Sequence, residues 1–178
     1  MRLFIGINFS EETRAGLVEL QNELRVKSKG GNFTLPENLH LTLAFLGDCN
    51  DAVGKVLQAV MDAVIFDSFD IHIDHLGHFK RTGGDPTSGA GQALWWAGLA
   101  ECKSLTNLHS NLTKALTVAG FTLETRKYNP HITLARQVIT TEQPRSVPAI
   151  TETITFIDLI QSTRVNGKLT YTAIYAKS

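Results

Sequence analysis

Apolar side chains at Leu3, Ile5, Ile7 and Phe9 alternate with their neighbours, a period of two that predicts a strand from almost the first residue. Ser10 follows as a helix N-cap. Behind it, Glu11, Glu12 and a stripe of Leu17, Leu20 and Leu24 predict an amphipathic helix over 11–27, ended near Gly30-Gly31. Residues 38–46 read as a second strand. Val53, Val56, Leu57 and Val60 at helical spacing predict a helix over 52–65, and 69–79 reads as a third strand. The first half is therefore β-α-β-α-β.

Residues 80–92 hold Gly83-Gly84-Asp85-Pro86 and Gly89-Ala90-Gly91, the strongest loop signal in the chain. After it the order repeats in shortened form. Residues 93–99 predict a strand, and 103–119, with Leu105, Leu108, Leu112 and Leu116, predict a helix that Gly120 terminates. A strand over 130–136 follows. The proline-flanked stretch 137–148 stands where the first half has its second long helix. Strands over 150–162 and 169–177 close the chain, the last pair flanking the turn Asn166-Gly167.

The repetition is also literal, because His40-Leu41-Thr42-Leu43-Ala44 recurs as His131-Ile132-Thr133-Leu134-Ala135, 91 residues later. Leu3-Phe4-Ile5 maps onto Leu94-Trp95-Trp96 at the same offset. Two copies of so long a unit indicate a duplication and not a solenoid. The expected fold is α+β: duplicated β-α-β units forming two pseudo-twofold-related lobes with antiparallel sheets around a central cleft. Residues 1–178 would form a single bilobal domain, with halves of about 1–80 and 93–178.

Composition narrows the function. With 43% hydrophobic and 19% charged residues, the chain can fill a core and is no disordered tail. Lys+Arg 17 balances Asp+Glu 17, so no global field draws in nucleic acid or an acidic membrane, and phosphate binding must be local. No apolar run approaches the roughly 20 residues that span a bilayer, and the opening Met1-Arg2-Leu3-Phe4 lacks a signal peptide's pattern. A cytoplasmic protein without a membrane partner is expected. Cys49 and Cys102 sit in unrelated contexts and predict ordinary thiols.

Alternation in a strand places His40, Thr42 and Ala44 on one face and Leu41, Leu43 and Phe45 on the other. The second copy behaves alike: His131, Thr133 and Ala135 face away from Ile132 and Leu134. A pseudo-twofold axis would bring two imidazole–hydroxyl pairs to one cleft. This suits in-line displacement at phosphorus, which wants a base on the attacking oxygen and an acid on the leaving one. Two histidines, titrating near 6.5, can divide those roles. The hydroxyls of Thr42 and Thr133 would hold non-bridging oxygens. Arg136 can add charge-assisted bonds once twist at the strand end turns it from the core face. Packing explains repeated Leu and Ile, but a core gains nothing by repeating an imidazole and a hydroxyl, which buried without partners cost about 1–3 kcal/mol each.

Asn38-Leu39-His40-Leu41-Thr42-Leu43-Ala44-Phe45-Leu46-Gly47 and Pro130-His131-Ile132-Thr133-Leu134-Ala135-Arg136 resemble the two signatures of the 2H phosphoesterase superfamily. The similarity is to its RNA 2′,3′-cyclic phosphodiesterases, once named 2′-5′ RNA ligases. Arg2-Leu3-Phe4-Ile5-Gly6-Ile7 and the Leu94-Trp95 strand extend it along the whole chain. The resemblance implies the bilobal 2H fold, no metal or other cofactor, and substrates that are RNA ends or nucleotides bearing a 2′,3′-cyclic phosphate; a monomer is expected. It implies His40 and His131 as the catalytic pair, Thr42 and Thr133 as phosphate ligands, His131 as base for water and His40 as acid for the 3′ oxygen. A 2′-phosphate would remain. Ligation or cleavage of 2′-5′ linkages uses the same pair, and a non-catalytic RNA-end binder is a third reading. The 80–92 loop is longer and richer in glycine than the family pattern, and Gln92 stands where that pattern carries a basic residue.

Other signals carry less. His72, His75 and His78 recur every third residue, but on a strand His75 would point away from the other two. Asp70 and Asp74 read as a solvated edge, and His109 as a surface or interlobe residue. The glycines of the 83–91 loop do not match a phosphate-cradling loop; a flap over the site is the alternative to a plain turn. Lys27, Lys29, Lys80 and Arg81 are candidates to line an RNA path.

Overall fold

The computed structural model describes residues 1–50, 52–80 and 92–178. The 83–91 loop and Arg81 lie outside the described residues. The elements run β1 (Arg2–Asn8), α1 (Glu11–Val26), β2 (Ser28–Phe33), β3 (His40–Asp48), α2 (Val53–Ala63), β4 (Phe69–Lys80), β5 (Ala93–Leu99), α3 (Lys103–Val118), β6 (His131–Thr140), β7 (Arg145–Ile154), β8 (Ile157–Val165) and β9 (Lys168–Lys177). All pairings are antiparallel, in sheets of order β3-β1-β8-β9 and β2-β6-β5-β4-β7. This is the expected α+β class.

Local chemistry explains most boundaries. The Ser10 hydroxyl accepts the Thr13 N–H at 3.2 Å, capping α1, while Leu17, Leu20 and Leu24 are buried. Glu152 of β7 ties down the same corner, accepting from the Ser10 N–H at 3.0 Å and its hydroxyl at 2.7 Å. Gly120, at φ +91°, follows α3 in a Schellman turn: its N–H bonds the Thr117 carbonyl, and the Phe121 N–H bonds that of Leu116, both at 3.0 Å. Asn166 (φ 50°) and Gly167 (φ 78°) form the primed turn between β8 and β9.

Four expectations need correction. Helix α1 stops at Val26, not near Gly30-Gly31, and Ser28–Phe33 is an edge strand whose exposed side chains left no alternation to read. Stretch 137–148 is the end of β6 and the start of β7; Pro148 fits because β7 is an edge strand. Segment 150–162 is two strands in different sheets. The β1–β5 offset is 90 and not 91, since Ile5 and Trp95 face the equivalent residues Ala44 and Ala135.

Strand order exposes the internal likeness and its complication. Sheet order β3-β1-β8 corresponds to β6-β5-β4, but β8 comes from the second sequence half and β4 from the first. Each half thus gives a strand to the other's sheet. One continuous core joins both, running from Leu3, Ile5 and Ile7 through Leu105 and Leu112 to Ile132, Leu134 and Leu159. Among the described residues no helix is long and apolar enough to cross a membrane.

Candidate active site

The two His-x-Thr segments open β3 and β6, and these strands lie against each other where the sheets meet. Along β3 the partners in β1 run Asn8↔His40, Ile7↔Leu41, Gly6↔Thr42 and then Ile5↔Ala44, so Leu43 is an extra residue, a β-bulge. Along β6 they run Gly98↔His131, Ala97↔Ile132, Trp96↔Thr133 and then Trp95↔Ala135, which makes Leu134 the bulge. The bulges are 91 residues apart. Before each, histidine and threonine share the outer face while Leu41 and Ile132 are buried.

Beyond each bulge the alternation resets. Ala44 and Ala135 turn into the core, against the expectation that they share the face of the histidines, and Phe45 turns out of it, 53% exposed. In β6 the same reset turns Arg136 outward. The bulge at Leu134, rather than twist at the strand end, frees its guanidinium from the core. Arg136 is exposed, and its charge adds, after burial, to the influences on the His40 imidazole and the Tyr171 phenol, which sets it near both.

Each histidine is held in the same tautomer. His40 Nδ1 lies 2.7 Å from the Asn38 carbonyl and His131 Nδ1 lies 2.8 Å from that of Asn129. A carbonyl only accepts, so Nδ1 donates and Nε2 is left for chemistry. The Thr42 hydroxyl, 3.0 Å from His40 Nε2, donates to it when the ring is neutral. Burial lowers the His40 pKa below its ordinary value; the Asn38 carbonyl opposes this, and the charges of Arg136 and His131 add to it. The sequence carried a signal for these carbonyls that the shorter motif misses: Asn38 and Asn129 make each copy Asn-x-His-x-Thr.

Asn38 does more. It is buried, 4% exposed; its amide donates to the Leu169 carbonyl at 2.8 Å and accepts the Tyr171 N–H at 3.2 Å. It thereby holds β9 against the turn, Pro36–Asn38, that leads into β3. Tyr171 then stands edge-on to His40 (5.1 Å between ring centroids) and to Phe4 (5.0 Å), and the Phe4 ring lies 4.8 Å from His40. His131 has its own pair. Phe79 meets it edge-on at 5.4 Å, and Trp96, 5.3 Å from Phe79, lies 6.2 Å away. The Trp96 ring covers Gly77, where any Cβ would fall 2.3 Å from the indole. These four aromatic residues come from β1, β4, β5 and β9, and no local motif marks them.

His109 is half-buried on α3. It stacks on Tyr128 at 3.7 Å, and the Tyr128 hydroxyl donates to the Thr42 carbonyl at 3.0 Å, which links α3 to the first motif. Burial lowers the His109 pKa and raises that of Tyr128. The three β4 histidines have separate partners: His72 bonds Thr151 at 2.9 Å, His75 bonds Asp74 at 2.5 Å, and His78 stands edge-on to Trp95. A register shift at Asp74 resets β4, turning His75 toward Trp96 and His78 toward buried Trp95, so strict alternation fails here too. Among the described residues no three His, Cys, Asp or Glu side chains converge as metal ligands. Asp70 accepts from Thr153 at 2.6 Å, and Lys27 pairs with Glu142 at 3.1 Å. Cys49 and Cys102 are free thiols.

The family model of LigT-like phosphoesterases matches residues 7–87 and 98–159. An RNA 2′,3′-cyclic phosphodiesterase of Thermotoga maritima is 30% identical over 138 residues, 76% of this chain and 70% of the relative. A crystal structure from Thermus thermophilus superposes with a TM-score of 0.80 at 26% identity, covering 99% of this chain and 96% of that one. Escherichia coli LigT complexed with 3′-AMP gives a TM-score of 0.81 at 24% identity, with the same coverage, a likeness of fold. The family match takes in His40, Thr42, His131, Thr133 and Arg136, and by it this chain belongs to the LigT-like phosphoesterases.

Proposed function

We propose that this protein hydrolyses terminal 2′,3′-cyclic phosphates on RNA to 2′-phosphates, by metal-independent acid–base catalysis with His40 and His131. The observation that carries the reading is the pair of abutting His-x-Thr strands, bulged at equivalent residues, with Arg136 turned outward near His40. Two imidazoles whose Nδ1 atoms are taken by backbone carbonyls, leaving Nε2 for proton transfer, suit the two ends of an in-line displacement. Water attacks phosphorus as one imidazole takes its proton. The P–O3′ bond breaks as the other gives a proton to O3′, leaving a 2′-phosphate and a 3′-hydroxyl. Thr42, Thr133 and Arg136 hold the non-bridging oxygens.

The resemblance casts His131 as base and His40 as acid. In the free protein, burial and Arg136 disfavour charge on His40. An anionic phosphate set against Arg136 cancels that repulsion and favours the imidazolium, so His40 gains its proton as substrate binds. The names of the relatives and the 3′-AMP complex of the E. coli protein support a nucleotide substrate.

The test is incubation of the purified chain with a short RNA ending in a 2′,3′-cyclic phosphate, with chromatography resolving 2′- from 3′-phosphate products. A 2′-phosphate alone is expected. Exclusive 3′-phosphate, or an unopened ring, rejects the proposal.

A further inference from the structure

Along the outer face of β1, Arg2, Phe4, Gly6 and Asn8 follow one another at period two, level with His40 and Thr42 of β3. Phe45 lies opposite Phe4, ring centroids 5.7 Å apart at 30°, and Phe4 in turn abuts His40. A row of rings thus leads away from the reacting centre. Phe4 is buried within it, while Phe45, at the far end, leaves half its surface in water. The bulge at Leu43 is what turns this ring out of the core.

One step beyond Phe4 on the same face stands Arg2, exposed, its charge acting on the Tyr171 phenol from which Arg136 is also felt. Its register partner on β3 is Asp48, yet among the described residues no carboxylate lies within salt-bridge distance of Arg2. Arg2 is four residues along β1 from Gly6, the position facing Thr42, or about 13 Å at the rise of a strand. Its flexible stem can shorten that gap to the spacing of nearby phosphates on one RNA strand.

An exposed aromatic face on the same sheet surface as a cation outside any ion pair is the pairing that binds single-stranded nucleic acid, the ring stacking a base and the cation taking a phosphate. Resting on the functional reading above, we propose that Phe45 and Arg2 form a second nucleotide subsite. Phe45 stacks the base of the nucleotide preceding the cyclised one, and Arg2 pairs with a backbone phosphate of that strand. Ring centroids step outward from His40 to Phe4 by 4.8 Å and from Phe4 to Phe45 by 5.7 Å, so Phe45 is the outer of the two rings and is assigned to the nucleotide before the cyclised one. The subsite thus selects oligoribonucleotide ends over mononucleotides.

The test compares adenosine 2′,3′-cyclic monophosphate with a triribonucleotide ending in a 2′,3′-cyclic phosphate. For the trinucleotide, Phe45→Ala and Arg2→Gln are each expected to raise KM about tenfold with kcat nearly unchanged. For the mononucleotide both constants should stay at wild-type values. Phe45→Tyr, which keeps a stacking ring, should restore the trinucleotide KM. Arg2→Gln should also reduce the slope of log(1/KM) against log salt by about 0.7, the loss of one phosphate contact to a single strand. Variants that handle the trinucleotide like wild type would overturn the subsite and leave the functional reading standing. Equal losses on both substrates would overturn it too, by placing these residues in the reacting centre. A wild-type protein that opens neither substrate rejects the functional reading and the subsite with it.

Discussion

His40 and His131 are presented alike, each donating Nδ1–H to a carbonyl two residues earlier and keeping Nε2 for a reactant. In the proposed mechanism, replacing either with alanine removes one of two proton-transfer partners, so His40→Ala and His131→Ala should each lower turnover on cyclic-phosphate RNA by at least about 100-fold. Near-wild-type turnover in either would refute the paired mechanism. Thr42→Ala and Thr133→Ala should be milder, each losing about 1.5–3 kcal/mol of transition-state binding, read from kcat/KM. These four residues were legible in the sequence because a polar pair repeated at a fixed offset has no packing explanation. Tyr171, Phe4, Phe79 and Trp96 were not, because register between distant strands, rather than any local pattern, brings them to the histidines.

The bulges at Leu43 and Leu134 decide which side chains face the site, and period-two reading cannot see them. Such reading therefore put Phe45 in the core and left Arg136 to be rescued by twist. The second bulge has a visible support in buried Gln21 of α1, whose amide donates to the Thr34 and Leu134 carbonyls at 2.8 Å each. Gln21→Leu keeps the bulk but strips both carbonyls of that donor. A loss of about 1–3 kcal/mol in unfolding free energy is expected, measured by urea titration, with a fall in kcat as Arg136 loses its setting. An unchanged midpoint with unchanged kcat would contradict this role. Helix α1 was legible from its cap and leucine stripe. Strand β2 was not, since its backbone bonds to β6 while its side chains remain in water.

Across the whole molecule, duplication was legible from the 91-residue echo, but the exchange of β4 and β8 between sheets was not, because pairing partners leave no trace in a strand's own pattern. The exchange ties both motifs to one core. Imidazoles, hydroxyls and the guanidinium of Arg136 form a lining that suits an anion and repels a cation, so activity should survive EDTA unchanged. Inactivation by chelation with recovery on zinc or magnesium would contradict that expectation. Asking two histidines to do opposite jobs makes the rate depend on holding one proton between them. Burial of His40 and the charges of Arg136 and His131 push the lower titration of the free pair downward, so the acid limb of kcat/KM should have its midpoint below about 6.5. Bound phosphate favours imidazolium, so the limbs of kcat should lie higher. The most direct measurement is the rate on cyclic-phosphate RNA from about pH 5 to pH 9, a range bracketing the ordinary histidine value. A bell is expected, falling on the acid side as the base protonates and on the alkaline side as the acid loses its proton. A rate that only climbs with pH would mean that hydroxide attacks a phosphate held by the threonines and Arg136, with no histidine acid at work.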